Sequence, residues 1–144
     1  MAATPIVSLS YPKTRESLEK VFKVVRTDTT AFVAGVIPKD AIITGMYVIG
    51  HAASDAATSA SVNLGTSSTA TELIAAFDVK TAATGEGYSP VGAAAVGTAM
   101  MTKLTADTPV YAKYIEAGTA SSTGGPWFIK VEYIVTGPGE DVQM

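Results

Sequence analysis

Near the C-terminal end of the chain, the run WFIKVEYIV alternates strictly: Trp127, Ile129, Val131, Tyr133 and Val135 fall on one side, and Phe128, Lys130, Glu132 and Ile134 on the other. A two-residue period held this long predicts a β-strand with one core face and one half-polar face. PVYAKYIE repeats the pattern, with Val110, Ala112 and Tyr114 set against Tyr111, Lys113 and Ile115. AIITGMYVIG is apolar on both sides. Regular alternation groups Ile43, Gly45, Tyr47 and Ile49 against Ile42, Met46 and Val48, which predicts a strand buried on both faces or lying at an interface. Ahead of it stands a Pro-Lys-Asp corner where two strands are expected to meet. Pro38 is expected at the second turn position, and the Asp40 side chain is expected to bind nearby backbone.

Similar runs cover residues 18–26, 30–37, 41–50, 58–65, 71–80, 97–104, 108–116 and 126–136. Their spacing predicts an all-β sandwich of about eight antiparallel strands. The run 71–80 also fits one face of a short helix, through Leu73, Ile74 and Phe77, so both forms stay open there. The connecting stretches HAASDAA, GTSSTA, TAATGEGYSPVGAAAV and AGTASSTGG are small, hydroxyl-rich and nearly uncharged, which suits packed surface loops better than solvated linkers. Residues 18–144 therefore read as one domain, with no repeat of fixed period. Residues 1–17 read as an extended arm: Pro5 and Pro12 disfavour a helix, Ile6, Val7, Leu9 and Tyr11 provide apolar anchors, and KTRES, with Arg15, forms a charged end.

Composition changes this picture in one respect. Only 16% of the 144 residues are charged, against about 25% in an average globular protein, while 19 Thr, 11 Ser and 23 Ala raise the small-residue share and mean hydropathy is +0.29. Either the fold hides an unusual share of its surface or, the favoured reading, part of that surface is covered by other subunits, and a homo-oligomer, with a dimer favoured as the commonest closed symmetry, is expected. The net charge of −3 and the scattered Lys and Arg argue against nucleic acid as a partner. No run approaches a membrane span and no secretion signal opens the chain, so a soluble, unprocessed protein is expected. The absence of cysteine excludes disulfides and thiolate metal sites.

Candidate chemistry is sparse. The single histidine, His51, sits at a strand end, and no serine lies in a G-x-S-x-G context, so a nucleophile with its base has no support. Asp78, Asp107, Glu116 and Glu132 are single carboxylates on separate segments, and nothing in their spacing makes an acid–base pair or a hard-cation loop. GEGYSPVG lacks the Gly-Lys-Ser/Thr of a phosphate cradle and reads as a turn. Its Tyr88 is either pinned under the loop or offered to a partner, and Trp127 is expected in the core. No enzyme activity, cofactor or metal is expected. Sugar binding by exposed aromatics is disfavoured by a single Asn and a single Gln.

Two stretches carry a resemblance. VIPKDAIITGMYVIG, matching through Ile37, Pro38, Ala41, Ile43 and Gly45, is similar to the cement or decoration proteins of short-tailed bacteriophages, of the Bordetella phage type. So is KLTADTPVYAKYIEAGTASSTGGPWFIKVEYIV, matching through Leu104 to Asp107, Val110, Tyr111 and Lys130 to Tyr133. The resemblance covers most of the region from about residue 30 to 136 and its motifs are structural. It implies a jelly-roll-like β-sandwich on the outer surface of a virion capsid, made in the host cytoplasm and bridging subunits of the major capsid protein. The same corner style in phage fibre proteins keeps a head-fibre or receptor- or carbohydrate-binding module as the alternative. Candidate interface residues on this reading are Ile6, Leu9, Tyr11, Arg15 and Tyr88.

Overall fold

The computed structural model describes residues 17–50, 52–81, 87–90 and 102–136. Eight strands are formed among them: β1 (Leu18–Val24), β2 (Phe32–Ile37), β3 (Ala41–Gly50), β4 (Ser59–Gly65), β5 (Ile74–Asp78), β6 (Gly87–Pro90), β7 (Thr108–Ala117) and β8 (Trp127–Val135). They build two antiparallel four-stranded sheets, ordered β1-β8-β3-β6 and β2-β7-β4-β5. This interleaving of two Greek keys is jelly-roll topology. The region that also fitted a helix is strand β5.

Two strand assignments need correction. The sixth strand is β6, inside the stretch expected to be a turn, where Tyr47 to Gly50 of β3 pair with Pro90 to Gly87. Of the expected run 97–104, residues 97–101 lie outside the described residues, and beyond them only an isolated bridge links Lys103 to Ile42. Alternation alone could not find β6, because Gly, Ser and Pro carry no hydrophobic period; the edge of β3 recruits it.

The faces of β7 and β8 follow the alternation residue by residue, whereas β3 departs from it. A β-bulge at Thr44 interrupts pairing with β8: Ile43 faces Tyr133 and Gly45 faces Glu132. The extra residue reverses the parity of the strand. Ala41, Ile43, Met46 and Val48 are consequently buried together, while Ile42, Tyr47 and Ile49 lie half-buried on the outer face. Similar irregularities occur in β2, between Val33 and Gly35, and in β5, opposite Val62 and Leu64. The β5 bulge places Ala76 at φ 56°, and its amide donates to Oδ1 of the buried Asn63 at 2.9 Å.

The core lies between the sheets. Phe22, Val24, Ile43, Met46, Val48, Trp127, Ile129 and Val131 pack against Ile37, Val62, Leu64, Ile74, Val110 and Tyr114. Trp127 stacks on Tyr114 across the two layers, with ring centroids 5.2 Å apart and planes 8° apart. Such a pair adds about 1 kcal/mol beyond the area it buries.

Candidate interaction surfaces

The two stretches that carried the sequence resemblance meet in space at the corner between β2 and β3, which passes the chain from one sheet to the other. Ala41 N–H donates to Pro38 O at 3.3 Å, so Pro38 occupies the first turn position, not the second, and Asp40 takes the third with φ 67°. That left-handed geometry suits Asp better than most non-glycine residues. The carboxylate holding backbone here belongs to Asp107, which accepts from Lys39 N–H at 2.8 Å; Asp40 instead pairs with Lys103 at 3.2 Å. Asp40 N–H donates to Leu104 O, Leu104 N–H to Ala41 O, and Thr136 N–H to Asp40 O. The Leu-Thr-Ala-Asp run is thus a clasp on the Ile-Pro corner, a structural role.

Four further carboxylates among the described residues, Asp55, Glu72, Asp78 and Glu116, are also committed to backbone and hydroxyl groups. Tyr114 Oη donates to Glu116 Oε2 at 2.8 Å and lies 2.7 Å from Ser54 Oγ, while Ser121 N–H donates to the same Glu116 oxygen at 3.0 Å. Hydrogen bonding by Ser121 holds the Glu116 carboxyl below its ordinary range, and burial raises the Tyr114 phenol above its own. Asp55 accepts from Ser122 Oγ and from the amides of Ser122 and Thr123, which depress its titration strongly. Burial pushes Glu72 up, but donors from Ser67, the Thr66 and Glu72 amides and Thr69 outweigh it and bring the group to about 2. Asp78 caps the turn to Thr81 and is lowered by Thr81 and Lys80 against an opposing burial effect. These groups pin loops; none faces a second free carboxylate or a base. Among the described residues, no group of three or more His, Asp or Glu side chains could hold a metal ion. A shallow recess of about 360 Å³ beside β4 and β5 is lined by Ser59, Ser61, Asp78, Lys80 and Thr81, and its two charged groups are already engaged with Thr81 and Ala56 O.

What the fold leaves available is surface. On the outer face of the first sheet, Lys130 bridges Glu19 at 3.2 Å and Glu132 at 3.8 Å, and its ammonium lies 5.5 Å from the Tyr47 ring centroid. Five large apolar side chains are exposed among the described residues: Leu18 (41%), Val21 (52%), Val33 (54%), Val36 (46%) and Ile115 (40%). The first four lie on β1 and β2, the edge strands of the two sheets on one flank of the sandwich. The sequence reading did not single them out. Parity from Phe22 and Val24 already assigns Val21 to the outer face, but only the strand order puts it beside β2.

Of the expected interface residues, Ile6, Leu9, Tyr11 and Arg15 lie outside the described residues, as does His51. Tyr88 lies in β6 opposite Ile49 of β3, in an edge strand and not in a turn. Trp127 is fully buried, as expected.

No family model matches the chain, and no curated protein matches its sequence. Among solved structures, it is similar to a chain of the cyanophage Pam1 capsid asymmetric unit, with a TM-score of 0.60 and 17% identity, over 86% of this chain and 88% of that one. It is also similar to a chain of the acidic stable capsid structure of Helicobacter pylori bacteriophage KHP30, with a TM-score of 0.51 and 14% identity, over 85% and 94%. At these identities the likeness is one of fold, and it extends over nearly the whole length of each chain.

Proposed function

We propose that the protein is a structural component of a phage virion, a cement or decoration protein on the outer surface of the capsid that bridges neighbouring major capsid protein subunits. The observation that carries this reading is the whole-length likeness to chains of two phage capsid assemblies. It is supported by carboxylates spent on holding loops, by low charge, and by exposed apolar residues on the edge strands β1 and β2. The protein performs no catalytic step and takes no cofactor. Tyr88 and the arm residues Ile6, Leu9, Tyr11 and Arg15 contribute to its contacts, the arm reaching onto neighbouring subunits.

The test is to isolate particles with and without this chain and image both. The protein is expected to co-purify with the major capsid protein, to give density outside the shell at sites between capsomers, and to raise the temperature at which particles lose their genome. Density confined to a fibre, or glycan binding by the isolated chain with no capsid density, would favour a receptor-binding module instead.

A further inference from the structure

The outer faces of the two sheets use their charges differently. On the first, Val21 of β1 stands opposite Lys130 of β8, and Lys130 is ion-paired with Glu19 and Glu132 on the same face. That face answers its own charges. On the second, Pro109, Tyr111, Lys113 and Ile115 of β7 point outwards, alternating with the buried Val110, Ala112 and Tyr114. Val36 of β2 lies opposite Pro109, and Val33 opposite Tyr111. Val33, Val36 and Ile115 are three of the five exposed large apolar side chains among the described residues, and all three belong to this one face. The stripe from Pro109 to Ile115 is about 20 Å long, and a contiguous exposed apolar surface of this kind marks a contact.

Lys113 sits in the middle of the stripe, half-buried, with no ion-pair partner among the described residues. Its neighbour on β4 is Asn63, whose Oδ1 already accepts from Ala76 N–H. The carboxylate at the rim, Asp78 opposite Ser61, accepts from the Lys80 and Thr81 amides. An apolar surface covering Lys113 without a carboxylate of its own would strip water from the ammonium and leave the charge unpaired, which strongly opposes docking.

That requirement selects the occupant. Two copies meeting face to face around a two-fold axis through the stripe would set Lys113 beside its own counterpart, because a residue near the axis meets itself. The apolar stretch of the arm, residues 6–11, carries no carboxylate, and its charged end sets Lys13 and Arg15 against Glu16 alone. The arm also joins the fold at β1, in the other sheet.

We infer that the outer face of the second sheet is the surface that meets the capsid shell, and that its partner there is an apolar patch of a shell subunit with one carboxylate placed to pair with Lys113. This rests on the cement reading and adds to it the face and the chemistry of the contact. The outer face of the first sheet, with its charges already paired, points away from the shell.

The probe is a particle that lacks this chain, to which the purified full chain is added back and its co-sedimentation measured. Lys113→Glu and Val36→Glu should each weaken binding at least about ten-fold. Lys113→Arg should retain most of it, and Val21→Glu, on the first sheet, should leave it unchanged. Circular dichroism reports whether each variant is folded. Images of decorated particles should show the second sheet against the shell with a shell carboxylate at Lys113, and reversing that carboxylate to lysine should restore binding of Lys113→Glu. Decoration with the first sheet turned inwards, or full binding by Lys113→Glu, would overturn the inference and leave the cement reading intact. So would a dimer of the purified chain that Lys113→Glu dissociates, which would give the face to a second copy, or a carbodiimide cross-link from Lys113 to Glu140 or Asp141, which would give it to the chain's own tail. A wild type that never decorates particles would instead remove the cement reading, and this inference with it.

Discussion

Single side chains in this protein act mostly as fasteners. Glu72 accepts hydrogen bonds from the Thr66 and Thr71 amides and from the Ser67 and Thr69 hydroxyls, so one carboxylate holds the whole β4–β5 connection. Its folded titration, at about 2, lies below the ordinary value of 4.5. A depressed carboxylate stabilises the fold above its unfolded pKa and loses that contribution as pH falls through the folded value. Asp55, Asp78 and Glu116 are shifted in the same direction. Thermal stability is therefore expected to decline from about pH 4.5 towards pH 2, the interval set by Glu72. Glu72→Gln should lower stability at neutral pH by about 1 kcal/mol, the scale of a partly exposed charged hydrogen-bond set. The difference between variant and parent should shrink towards pH 2 and vanish below it. Melting curves across pH check this, and a constant difference at all pH values would contradict it.

At the scale of elements, bulges decide which side chains meet the core. Thr44 is the residue by which β3 exceeds its partner, and its hydroxyl reaches only Glu132 O at 3.3 Å. Deleting Thr44 should therefore preserve the buried set Ala41, Ile43, Met46 and Val48 and leave a folded protein. Deleting Tyr47 should invert the end of the strand and abolish folding. Near-ultraviolet circular dichroism of the two deletions, reporting the packed Trp127, separates these outcomes. The contact between β2 and β1 makes a second expectation. Gly35 is required for space, since an added methyl would meet the buried Phe22 ring. Gly35→Ala should cost about 1–3 kcal/mol through overpacking, measured by denaturant unfolding, and Gly35→Ala with Phe22→Leu should recover part of it.

For the whole molecule, the described residues 18–135 pair into both sheets and bury Trp127, Tyr114 and their neighbours among themselves. Deleting residues 2–16 is expected to leave a cooperative unfolding transition within about 4 °C of the parent, equivalent to less than about 1 kcal/mol. The same deletion should reduce retention on capsids under heat or dilution. Equal retention of the truncated chain would contradict the arm's role as a clamp, and loss of folding would make it a strand of the sandwich.

The sequence by itself determined the all-β class, the positions of most strands and the faces of β7 and β8, because a two-residue period in long runs such as Trp127–Val135 has only one way to bury its apolar side. Three things were decided only by tertiary structure. The parity of β3 depended on a bulge that pairing with β8 creates, and alternation cannot see a residue that has no partner. Strand β6 exists because the edge of β3 accepts a segment with no period of its own. The placing of β1 and β2 as edge strands follows from the order of strands in two sheets, and so do the clasp of Asp107 on Lys39 and the stack of Trp127 on Tyr114. Each joins residues far apart in sequence, and a local period carries information about a strand's two faces but none about its neighbours.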